Sequence, residues 1–195
     1  QPLPMTNCAQ VYGKGRHSVT LLRDYSVVYS KTYLPQLLNF SSEVVNGFKT
    51  ISPFKLEQYI DKFSFFFDLT EYPDNGISYK VADIKRSAGL GALNDFFSKN
   101  VPQSKCGGLG TKMLIVDLPI EYGGLASLGG KNGMLSSRIV GRKDGVQIAV
   151  HEFSHAFSGL TDEYPYSSGK IPERFYLGEN KRNCSLDPKK DFSYG

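Results

Sequence analysis

His151 and His155 stand four residues apart in the stretch Val146-Gln-Ile-Ala-Val-His151-Glu152-Phe-Ser-His155-Ala-Phe-Ser-Gly159. On an α-helix that spacing puts both imidazoles on one side, one turn apart, where they can share one metal ion. Zn²⁺ is the usual guest for two histidine nitrogens completed by an oxygen ligand. Glu152 follows the first histidine, about 100° round the helix. It is therefore placed to take a proton from a water at the metal rather than to bind the metal. This is the HExxH pattern of a zinc-dependent hydrolase.

The plainer reading is a helix with two surface histidines. The flanking Val146, Ala149, Val150, Phe153, Ala156 and Phe157 are apolar, so the helix is expected to be largely buried, and a buried His-Glu-His cluster needs partners. Only three histidines occur in the chain, and two are here. Gly159 suits a left-handed helix end and would turn Asp162 or Glu163 back toward the imidazoles.

His151-Glu152-Phe153-Ser154-His155 followed by Gly159-Leu160-Thr161-Asp162-Glu163-Tyr164 resembles the active-site signature of the bacterial IgA-peptidase family of zinc metallopeptidases. The resemblance is sharp over the helix and the turn after it, and only pattern-like from Tyr25 to Gly145. It implies a secreted, extracellular zinc endopeptidase with a metzincin-like catalytic domain, acting on protein or peptide substrates. One departure stands out. The metzincin pattern puts Gly three and the third ligand six residues after the second histidine; here Gly159 is four and Asp162 seven residues beyond His155. Asp162 is the first choice for third ligand and Glu163 the alternative, while His17 is an outsider read as a surface residue. No Met follows Met134, so a methionine turn beneath the metal is absent or is replaced by another residue.

The expected chemistry is water-driven peptide hydrolysis. Zinc lowers the pKa of its water toward about 7, Glu152 takes the proton, and the same carboxyl passes it to the leaving amine. Tyr164 is the nearest phenol in sequence to steady the oxyanion, with Tyr122, Tyr166 and Tyr176 as alternatives, and packing as the plainer role for Tyr164. The competing class is a zinc-binding but non-catalytic secreted adhesin or structural module. An acid adjacent to the ligands argues against that, because structural zinc sites are closed by four ligands.

At 195 residues the chain is read as one catalytic domain over 1–195. Within it, 1–20 is expected to be irregular, 21–164 to hold the sheet, helices and zinc helix, and 165–195 to form a short rim. The opening at Gln1, without a charged and then apolar leader, is read as a removed targeting segment or an excised fragment. Net charge is a modest +4 with scattered cations, which gives nucleic-acid binding little support. No apolar run is long enough for a membrane span, and a monomer is expected. Cys8, Cys106 and Cys184 predict one disulfide and one odd thiol. A second reading has Cys8 capping the zinc in a latent form. Asn39-Phe-Ser41 and Asn183-Cys-Ser185 are permissive glycan sequons.

The positioning elements follow from pattern. Leu21-Leu22 and Tyr25–Tyr29 read as a strand. Pro35 begins a helix to about Lys49, with Leu37, Leu38, Val44, Val45 and Phe48 inward. Phe63–Leu69 is a central strand, 71–86 a loop, Leu90–Asn100 a helix and Lys112–Leu118 a strand. Cys106-Gly-Gly-Leu-Gly110 precedes its strand, so it is not a nucleotide cradle. Glu121–Gly130 reads as exposed and flexible, and Gly133–Val140 as a strand entering the zinc helix through Asp144 as N-cap. The resulting fold class is α/β, a mixed and mostly parallel sheet with an antiparallel edge strand. Leu135, Ser136, Ser137 and Arg138 are assigned to that edge, where an extended peptide could add as a further strand; a covered strand is the even alternative.

Overall fold

The computed structural model describes residues 7–24, 27, 33–51, 57–70, 72–73, 90–117 and 123–159. The expected mixed, mostly parallel sheet is present. Strands β1 (Cys8–Tyr12), β2 (His17–Arg23), β3 (Phe63–Asp68), β4 (Thr111–Val116), β5 (Gly124–Ala126) and β6 (Asn132–Ser136) form one sheet in the order β1-β3-β2-β4-β6-β5. The inner four are parallel, and β1 and β5 are antiparallel at the two edges.

Helix α1 (Tyr33–Thr50) links β2 to β3, the short α2 (Glu57–Ile60) precedes β3, and α3 (Leu90–Asn100) links β3 to β4. The chain steps from β2 to β3 on one side, then returns past β2 to β4 on the other. Right-handed crossovers in opposite directions place their helices on opposite faces. Accordingly α1 and the last helix, α4 (Gly145–Ser158), share one core with Val19, Leu21, Phe65, Phe67, Met113 and Ile115. On the other face Phe97 and Val101 pack with Leu22, Leu114, Val116 and Met134.

Pro35 does lie in the first turn of α1. Its buried stripe runs through Leu37, Phe40, Ser41, Val44, Val45 and Phe48, the 3.6-residue repeat of one helical face. Leu38, assigned inward, is instead 40% exposed, and Phe40 takes the core place. Gly47 allows α1 and α4 to touch closely, since a Cβ there would meet Val146 Cγ1 at 2.4 Å. Ser41 of the first sequon is buried and donates to the Leu37 carbonyl at 2.9 Å.

Three expectations need correction. The first twenty residues are not irregular: they hold β1 and the first half of β2, whose central strand lies earlier than 21–29. Residues 25–26 and 28–29 of that expected strand lie outside the described residues, as does most of the 71–86 loop. The antiparallel edge strand beside β6 is β5, inside the stretch read as flexible, because Gly124–Ala126 pairs with Gly133–Leu135. β6 is interior, parallel to β4, and stops at Ser136. There the Ser136 hydroxyl accepts from the Arg138 N–H at 3.3 Å and starts a 3₁₀ turn, Ser137–Ile139.

One disulfide, Cys8–Cys106, joins edge strand β1 to the loop before β4. Beside it lies a buried polar cluster. Asp68 accepts from Tyr72 Oη at 2.5 Å, from the Thr70 N–H at 2.9 Å and from Ser104 Oγ. Lys112 is buried and donates to Thr20 Oγ1 at 3.0 Å and to the Cys106 carbonyl at 2.5 Å.

Candidate metal centre

Helix α4 is fixed at both ends before its side chains are considered. At its start Gly145 lies so near Ile139 that a Cβ would come within 2.1 Å of the Ile139 carbonyl oxygen. Asp144 holds the N-cap position but makes no capping bond with its side chain. Its carboxylate pairs with Arg142 instead, at 2.9 and 2.5 Å. That pairing holds the Asp144 carboxyl below its ordinary range. At the other end Gly159 has φ 68°, the left-handed conformation expected of it, and its N–H donates to the His155 carbonyl at 3.0 Å. The β5–β6 loop adds two further donors: the Gly129 N–H reaches the same carbonyl at 2.8 Å and the Lys131 N–H reaches Ala156 at 2.9 Å. Helix-end carbonyls otherwise lacking partners are thus satisfied by neighbouring backbone.

The buried face of α4 carries Ala149, Val150, Phe153 and Ala156 into the core. Phe153 lies edge-on to Phe48, ring centres 4.6 Å apart, and stacks with Phe157 at 5.2 Å. Such aromatic pairs add about 0.5–1.5 kcal/mol each beyond area burial. With that face locked, the rotation of the helix is set, and so is the direction of His151 and His155.

The two imidazoles meet at one point. Their Nε2 atoms are 3.0 Å apart, with ring centres at 4.5 Å and planes at 84°. His155 and Glu152 are buried, and His151 is half-buried. Zinc holds imidazole nitrogens at about 2.0–2.1 Å, which puts two of them about 2.8–3.4 Å apart for bond angles near 90–110°. The nitrogens therefore fit two corners of a zinc site. The separation also suits one N–H···N hydrogen bond, so the pair can satisfy itself in a metal-free protein. Among the described residues no group of three or more His, Cys, Asp and Glu side chains is arranged to hold a metal.

Glu152 extends toward edge strand β5, where its Cγ and Cδ lie against Gly124. Periodicity did not reveal Gly124; the available signal was a Gly-Gly pair, Gly123-Gly124, in an otherwise strand-length segment.

The other expected site residues divide clearly. Asp162, Glu163, Tyr164 and the alternative phenols Tyr122, Tyr166 and Tyr176 lie outside the described residues, as does Cys184. Leu135 and Ser136 are buried in an interior strand, so they are not an edge. Ser137 and Arg138 belong to the 3₁₀ turn, with Ser137 Oγ donating to Asp117 Oδ1 at 3.0 Å. Cys8 is bonded to Cys106, which removes it as a thiolate cap for zinc. His17 is not a lone surface histidine: its ring packs against Phe63 and Phe157.

No family model matches the chain, and no curated protein matches it. Among the described residues no helix is long and apolar enough to cross a membrane.

Proposed function

We propose that this chain is a zinc-dependent endopeptidase of metzincin-like architecture, related to the IgA-peptidase family and acting outside the cell on protein or peptide substrates. The observation that carries the reading is the 3.0 Å approach of the His151 and His155 Nε2 atoms beside a buried carboxyl side chain one residue along the helix. His151 and His155 would hold the ion, with Asp162 or Glu163 as the third ligand. When bound, zinc supplies Lewis acidity, drawing the pKa of water toward about 7 and polarising the peptide carbonyl.

Glu152 takes a proton from the attacking water and delivers it to the departing amine, a role worth about 10²–10⁴ in rate. Burial between α4 and β5 limits the number of rotamers the carboxyl can adopt and keeps bulk water from competing for its proton. Among the described residues β5 is the last strand on its side of the sheet, and an extended peptide can pair with its backbone by strand addition. That moves the substrate-binding role from Leu135–Arg138 to Gly124–Ala126.

The test is Glu152→Gln together with metal analysis. The variant should retain stoichiometric zinc and lose peptidase activity against a casein digest, and a chelator should abolish activity in the parent protein. Undiminished turnover in the variant would refute the base assignment. Bound zinc without proteolysis in the parent would favour the adhesin or structural module.

A further inference from the structure

Where the parallel strands begin, a cavity of about 220 Å³ opens between the start of β2, the Gly-rich loop before β4, the loop before β6 and the last turn of α4. Arg16, His17 and Lys131 line it, and Phe157 forms an apolar wall. No Asp or Glu is among its described lining residues. The Ser18 hydroxyl donates to the Gly107 carbonyl, which occupies an acceptor that would otherwise repel an anion. Nothing in the hydrolytic reaction proposed above uses this cavity.

The His17 ring is held between Phe63, at 5.7 Å, and Phe157, at 5.3 Å. Arg16 Nε donates to His17 Nε2 at 3.1 Å, so in the neutral ring the proton sits on Nδ1. Burial first, then the charges of Arg16 and Lys131, hold the imidazole below its ordinary range. Two cations from separate elements therefore act on one point, and their field is positive there.

We propose that this cavity binds a phosphate or sulfate group, with Arg16 and Lys131 supplying charge and Phe157 lying beside whatever the group is attached to. Two full positive charges match a doubly charged tetrahedral anion, and guanidinium offers it a two-pronged contact. At about 30 Å³ per water the space holds about seven waters, enough for the anion and a small substituent. The Gly-rich loop need not form a nucleotide cradle, because side chains supply the recognition.

The experiment titrates the protein with inorganic phosphate at constant ionic strength, balanced with chloride, and follows the His17 ring signal by NMR. His17→Asn assigns that signal. Saturable binding should raise the His17 pKa, because the anion offsets Arg16 and Lys131. Phenyl phosphate forms the second arm: tighter binding than phosphate identifies an ester as the source, and equal binding a free ion. The exposed pair Arg16→Glu/Lys131→Glu should weaken binding at least about tenfold, since each charge-assisted contact is worth about that factor. Circular dichroism checks that the variant stays folded. An unmoved His17 signal, or undiminished affinity in the folded double variant, overturns the proposal.

Discussion

Gly124 of β5 lies directly against Glu152 of α4: a Cβ at position 124 would stand 2.5 Å from Glu152 Cγ and 2.9 Å from its Cδ. The edge strand and the acid beside the two histidines are thus shaped to each other, and glycine is what permits the approach. Gly124→Ala should push the carboxyl aside while both imidazoles stay in place. A displacement of about 1 Å can cost about 100-fold in rate. We expect kcat to fall by that order with zinc content unchanged, measured by steady-state kinetics and metal analysis. Full activity in Gly124→Ala would show that the carboxyl does not need this position.

Zinc should stabilise the fold through the same turn of helix. At a free zinc concentration about 100 times Kd, the gain is about 2.7 kcal/mol. For a chain of this size that corresponds to a rise in Tm of about 5–10 °C. Thermal unfolding of the parent protein should show the rise, and His155→Ala should not. An equal rise in the variant would place zinc elsewhere.

Cys8 and Cys106 are 98 residues apart in sequence, so their bond closes most of the described fold into a loop. In the chain-entropy account such a loop is worth about 4–5 kcal/mol, with native strain able to reduce it. Cys8→Ser/Cys106→Ser should lower the urea midpoint, and reductant should do the same to the parent protein. A midpoint insensitive to both would mean that β1 docks by packing and strand pairing alone.

Asp68 gives the fold an acid limit. Burial raises its pKa, but hydrogen bonds from Ser104, Thr70 and Tyr72 together outweigh burial and hold the carboxyl below its ordinary range. Unfolded, the same group titrates near about 3.9. A lowered folded value means stability that is complete above that range and is lost as pH falls toward the folded value. Asp68→Asn should cost about 1–3 kcal/mol at neutral pH, because donors that now face a carboxylate would face an amide. Its urea midpoint should also fall less steeply than the parent's below about pH 4. An identical acid profile in both proteins would assign the sensitivity to other carboxylates.

Local pattern carried the elements that bury a face against neighbours already implied by periodicity. The stripe of α1, the run Phe63–Asp68, helix Leu90–Asn100 and strand Thr111–Val116 were all legible. So was the turn that brings two imidazoles together, because four-residue spacing fixes the relation of His151 to His155 whatever surrounds the helix. β5 was not legible: three residues with two glycines nearby have no periodicity of their own and become a strand only by pairing with β6. The end of β6 was missed for a related reason. Ile139 and Val140 extend the strand-like composition past Ser136, yet one hydroxyl, that of Ser136, diverts the backbone into a turn. Basic residues at positions 16 and 131 could not be brought together on paper, since only the sheet order makes the starts of β2 and β6 near neighbours of β4.

The backbone bonds from Gly129 and Lys131 into the last turn of α4 have a mechanical corollary. Sliding the helix along its axis would break both at once, and Lys131 is itself tied to β4 through its carbonyl and the Lys112 N–H, at 2.9 Å. Imidazoles and sheet rim consequently travel as a single bracket. Any hinge in this fold must lie outside that bracket, leaving the spacing between the two nitrogens untouched as it moves.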